Sequence, residues 1–100
     1  MKVTLQYFNG CPNWKETEAH LETLRAEGFD VQLDHHLIET PEAAEQFKFR
    51  GSPTVIIDGV DPFARPDAPV GLSCRVYATE DGYAGSPSLE QLRAVLEEAN

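Results

Sequence analysis

Apolar and polar residues alternate from the start of the chain. Val3, Leu5 and Tyr7 are separated by Thr4 and Gln6, the period of two that a half-buried strand requires. Asn9-Gly10 marks a turn, and Pro12 suits the first turn of a helix, where its missing N–H is no loss. Trp14, Leu21 and Leu24 then share one face, which predicts a helix running to about Glu27, with Gly28 as its stop. Alternation returns at Phe29, Val31, Leu33 and Leu37, predicting a second strand. His35 falls on the apolar parity of that strand and is expected in the core; His36 faces the other way, toward solvent.

Thr40-Pro41-Glu42 combines a cap, a first-turn proline and an acid, predicting a short helix that ends near Lys48. Pro53 precedes the apolar run Val55-Ile56-Ile57, which Asp58-Gly59 closes as a third strand. Arg75–Thr79 reads as a fourth, with Tyr83-Ala84-Gly85 competing for its place. Ser88 and Gln91 have the capping-box spacing ahead of Leu89, Leu92, Val95 and Leu96, a last helix. The predicted order is β-α-β-α-β-β-α in one α/β domain over 1–100. The first two strands are parallel because a helix joins them, and the later ones antiparallel. Between the third and fourth strands lies an irregular insertion at about 60–73, containing Pro62, Pro66 and Pro69.

Composition narrows the classes of function. Eight Lys plus Arg stand against seventeen Asp plus Glu, a formal net charge of −9, and such a surface repels phosphate backbones. No nucleic-acid partner is therefore expected. No apolar run approaches the ~20 residues of a membrane span, and Met1-Lys2-Val3-Thr4 does not open a secretion signal. The expectation is a cytoplasmic protein with no membrane partner. Two cysteines are too few for a disulfide scaffold or a four-cysteine zinc site. In a reducing compartment, Cys11 and Cys74 point instead to catalysis or metal binding.

Gly10-Cys11-Pro12-Asn13-Trp14-Lys15 resembles the Cys-Pro-x-Cys-Lys segment of glutaredoxins, and Phe49-Arg50-Gly51-Ser52-Pro53-Thr54 resembles the thioredoxin stretch that ends in cis-Pro-Thr. With Asp58-Gly59, Gly85 and the last helix also in place, most of the chain resembles the thioredoxin-like superfamily. The resemblance implies a three-layer sandwich on a mixed four-stranded sheet, a cis Ser52–Pro53 bond, and Cys11 as the nucleophile. Trp14 stands where that family has its second cysteine, so the usual disulfide cannot form. Gly10–Trp14 with the later Gly71-Leu72-Ser73-Cys74-Arg75-Val76-Tyr77 also resembles chains labelled thioredoxin family or alkylmercury lyase-like. The acid an organomercurial lyase would carry three residues after its first cysteine is here Trp14.

At the head of a helix, backbone dipoles and free N–H groups favour the Cys11 thiolate. In the minimal fold the Pro53 strand runs away from Cys11. Cys74, just ahead of the next strand, then sits a strand's length off, on the order of 15 Å, beyond the ~7 Å Cα limit of a disulfide. Cys74 is thus expected to be a packing cysteine, unless the insertion folds back and carries it upward. Pro12, Trp14, Ser52, Pro53 and Thr54 form the expected substrate-binding set, with Trp14 equally suited to the core face of its helix. Two classes of function follow. One is a monothiol thiol–disulfide oxidoreductase, in which the Cys11 thiolate attacks a small or protein disulfide. It needs no bound cofactor, and glutathione or another low-molecular-weight thiol, or Cys74 after movement, resolves the intermediate. The other is a non-redox module that binds a protein partner beside Trp14, or a soft ion such as copper(I) or mercury(II) through Cys11 and Cys74.

Overall fold

The alternating start of the chain forms β1 (Lys2–Tyr7), whose Val3 and Leu5 are fully buried. β1 is the middle strand of a three-stranded sheet. It pairs in parallel with β2 (Gln32–Leu37), matching Leu5 with His35, and antiparallel with β3 (Thr54–Ile57), matching Leu5 with Val55. This is a computed structural model, and it describes residues 1–99. Three helices complete a compact α/β fold: α1 (Trp14–Ala26), α2 (Pro41–Gln46) and α3 (Leu89–Ala99). None of them is long and apolar enough to cross a membrane.

The main core lies between the sheet and the α1/α3 pair, where Leu21 and Leu24 meet Leu92 and Leu96 over Val3, Leu5, Val55 and Ile57. α1 starts at Trp14 rather than Pro12. Residues 9–12 are spent on a turn in which the Cys11 N–H donates to the Phe8 carbonyl at 3.2 Å. β2 likewise starts later than the alternation suggests, at Gln32. The stretch 29–31 folds back onto the helix end, with Phe29 N–H donating to the Leu24 carbonyl, before Gln32 reaches the Met1 carbonyl.

Two expectations about the sheet are overturned. The fourth strand does not join it: β4 (Tyr77–Thr79) pairs with β5 (Gly82–Ala84) in a separate two-stranded hairpin. The two segments that competed for one place are each other's partners, because a turn at 80–81 closes that pairing at little entropic cost. The histidine assignments are also reversed. β2 is an edge strand, and His35 lies exposed against the Glu18 carboxylate of α1. His36 is half-buried on the face covered by α2, 3.2 Å from Gln6 Nε2 and edge-on to Phe47.

That second face carries its own small core of Ile38, Ala44 and Phe49, onto which Val70 and Leu72 of the insertion pack. The Gly71 N–H donates to the Phe49 carbonyl, and the Arg50 guanidinium reaches the Ala68 carbonyl. These contacts fold the end of the insertion back along the α2–β3 connection, and this return decides where Cys74 lies.

At the C-terminal helix the capping box is reciprocal: Gln91 N–H donates to Ser88 Oγ at 3.1 Å and Ser88 N–H to Gln91 Oε1 at 3.0 Å. Ser88→Ala is expected to cost about 1 kcal/mol, measurable as a lower midpoint in urea with an unchanged slope.

Candidate functional site at the Cys11–Cys74 junction

Three pieces of chain meet at this site: the turn before α1, the Gly51–Thr54 entry to β3, and the returning end of the insertion. Cys11 is fully buried in the first, with its sulfur 3.7 Å from the Ser52 carbonyl oxygen. On the other side of Ser52, its N–H donates to the Ser73 carbonyl at 2.8 Å, and its carbonyl accepts the Arg75 N–H at 2.9 Å. That parallel bridge sets Cys74 beside Ser52. Cys11 and Cys74 are joined as a disulfide with their Cα atoms 5.7 Å apart.

The expected strand-length separation of the two cysteines is therefore wrong. It assumed that residue 74 leads directly into a strand running beside β3. Instead the insertion brings 73–75 back to the head of β3, and the chain travels on before β4 begins at Tyr77. Nor is Cys74 a buried packing residue: it is exposed, and Cys11 is the hidden member of the pair.

The Ser52–Pro53 bond is cis. The Pro53 carbonyl accepts a hydrogen bond from the buried Tyr77 hydroxyl, and Thr54 Oγ1 donates to the Gly51 carbonyl at 2.7 Å. Ser52 itself is fully buried, and its side-chain hydroxyl has no partner among the described residues. Gly51 is required here on two counts. Its φ is +123°, and a Cβ on it would lie 3.0 Å from Arg75 Cβ. Gly51→Ala is expected to destabilise the fold by about 1–3 kcal/mol and to loosen the 73–75 bridge, measurable by hydrogen exchange of the Arg75 amide.

Arg75, which the sequence did not single out, fixes the arrangement. Its side chain is buried, with Nη1 2.8 Å from the Asp61 carboxylate and 3.2 Å from Thr54 Oγ1, while Nη2 donates to the Phe63 carbonyl. The guanidinium also lies 4.8 Å from the Tyr77 ring centroid, a cation–π contact. One side chain thus ties the start of the insertion, its end and β3 together. An arginine finding an aspartate fourteen positions away leaves no local pattern, so sequence reasoning had no signal for it.

Burial holds Tyr77 in its neutral phenol form and pushes its pKa up, an effect that the nearby Arg75 charge only partly offsets. Because the folded value is raised, the stabilisation is complete below the ordinary phenol value near 10. It is lost as pH rises from there through the folded value. In an alkaline ultraviolet titration, the Tyr77 phenol should ionise only as the protein unfolds.

The remaining expected site residues separate. Pro12 is exposed in the turn after Cys11. Trp14 is half-buried, its ring 4.5 Å from that of Tyr7, and it packs against the main core. It is not among the residues that line the groove at Cys74.

Outside the disulfide lies an open groove of about 270 Å³ lined by Arg50, Arg65, Pro69, Ser73 and Cys74. Arg50, Arg65 and Arg75 also line a second hollow of about 210 Å³, together with Lys48 and Asp61. Half of the chain's eight basic residues therefore line these two neighbouring hollows, Arg75 among them being paired with Asp61. Among the described residues, no three His, Cys, Asp or Glu side chains gather as a metal site. A soft ion would have only the two sulfurs. No family model, curated protein or solved structure matches the chain.

Proposed function

We propose that this chain is a thiol–disulfide oxidoreductase on a thioredoxin-like frame, working in the cytoplasm through a reversible Cys11–Cys74 disulfide. The single observation that carries the reading is the juxtaposition of the two cysteines across the cis Ser52–Pro53 bond. The reading modifies the monothiol form of the expectation. With Cys74 beside Cys11, the resolving sulfur is supplied by the chain, from the insertion rather than from the helix position that Trp14 fills.

Reduction consumes two thiols and leaves Cys11 and Cys74 as a dithiol; oxidation by a disulfide reverses it. The test is turnover of hydroxyethyl disulfide with a dithiol reductant. The native protein should accelerate it, and Cys11→Ser and Cys74→Ser should each lower that rate by roughly a hundredfold. A native protein with no rate above buffer would sink the reading.

The same juxtaposition favours a second reading, capture of a soft ion between the two thiolates of the reduced protein. It predicts that reduced protein retains one equivalent of mercury(II) through a desalting column against a competing monothiol, and that Cys74→Ser does not.

A further inference from the structure

The two sulfurs of the pair are not equivalent, and their burial runs opposite to the order expected from Cys11 as nucleophile. An incoming thiolate must approach one sulfur in line with the bond it breaks. Cys11 is fully buried behind Ser52 and the bridge to 73–75, whereas Cys74 is exposed on the wall of the groove. The backbone edge of Ser52, where an extended peptide would add as a strand, is already taken. Its N–H and carbonyl are bonded to Ser73 and Arg75 of the same chain. Access is left from the groove side, to a molecule small enough to enter it.

That side is also where the charge of the protein reverses. Among the described residues Arg50 bonds only a backbone carbonyl, and Arg65 lies 3.8 Å from the Asp67 carboxylate at the surface, so both keep charge available to a ligand. No Asp or Glu lines the groove that holds Cys74. On a chain of net charge −9, a thiolate carrying further negative charge is repelled over most of the surface and favoured here.

We propose that Cys74, not Cys11, is the sulfur that exchanges with substrate, and that the substrate is a small anionic thiol guided by Arg50 and Arg65. This rests on the thiol–disulfide reading above. The thiolate attacks Cys74 Sγ. Its bond to Cys74 forms as the Cys74–Cys11 bond breaks, and the electron pair leaves on Cys11 as a thiolate in the turn that precedes α1. A second molecule of the same thiol attacks the mixed disulfide at the substrate sulfur, releasing the small disulfide and the Cys74 thiolate. Two thiols are oxidised and the protein disulfide is reduced.

The experiment uses oxidised protein with 2-mercaptoethanesulfonate or 2-mercaptoethanol, compared at equal thiolate concentration and low ionic strength. Aliquots are quenched in acid, alkylated and mapped by peptide mass. The expected first adduct is on Cys74, with Cys11 alkylated. The sulfonate should react roughly fivefold faster than the neutral thiol, an advantage that shrinks in salt. In Arg65→Gln, and further in Arg50→Gln/Arg65→Gln, the ratio of the sulfonate's rate to the neutral thiol's rate, read within each protein, should fall toward one. A first adduct on Cys11, or equal rates for the two thiols in the native protein, would overturn the inference and leave the redox reading standing. A disulfide inert to both thiols would overturn both.

Discussion

Reduction of the Cys11–Cys74 disulfide is expected to lower the stability of the fold by about 2–4 kcal/mol. The bond closes a loop of 63 positions, for which the chain-entropy limit is about 4 kcal/mol. It also pins the end of an insertion held otherwise by Val70 and Leu72 on the small core, the Gly71 amide, the Arg50–Ala68 contact, the Ser52 bridge and the Arg75 side chain. For a domain of this size the loss corresponds to a midpoint lower by roughly 10–25 °C. Thermal scans of oxidised protein, dithiothreitol-reduced protein and Cys74→Ser should give one high and two similar low midpoints. The reduced protein should still fold, because the buried members of the main core, Val3, Leu5, Leu21, Leu24, Leu92 and Leu96 among them, all lie outside the insertion, which adds only the partly buried Phe63 at its edge. Equal midpoints in all three samples would mean that the sulfurs do not pair.

The second large effect is expected at Arg75. Arg75→Leu removes the partner of Asp61, the donor to Thr54 and Phe63, and the cation over Tyr77. Asp61 is only partly exposed, so its charge is left poorly compensated. Breaking such a pair from one side costs about 3 kcal/mol. Asp61→Asn should cost less, since the amide oxygen still accepts from the guanidinium. The functional consequence separates Arg75 from an ordinary packing residue. With the insertion released, Cys74 spends less time beside Cys11, so the disulfide should become easier to reduce, by a larger margin in Arg75→Leu than in Ser88→Ala. Shifts in proportion to the stability each variant loses would show that Arg75 acts only through global stability.

The elements nearest the start of the chain were legible because local rules decide them. The alternation Val3–Tyr7 and the face Leu21/Leu24 each reached the core they predicted, and the Ser88/Gln91 spacing formed its box. Ser52 and Pro53 also proved to lie beside Cys11, with the cis bond between them. What stayed illegible depends on where one long connection goes. The position of Cys74 follows from Val70 and Leu72 seeking the second apolar face of the sheet and from Arg75 finding Asp61. Both are tertiary contacts without a periodic signature. The same holds for His35 and His36, whose burial is decided by α2 and the insertion covering one face of an edge strand rather than by their parity.

The most direct test of a reversible Cys11–Cys74 couple is a redox titration of the native protein at pH 7. Samples are equilibrated with dithiol/disulfide buffers, alkylated and weighed intact. A working couple predicts a monomer that passes from no labels to two labels in a single two-electron step, with a midpoint above about −300 mV, where cellular thiols can drive it. Two labels under every oxidising buffer would show that the cysteines do not form the bond. A midpoint well below that value would make the bond a permanent brace rather than a redox couple.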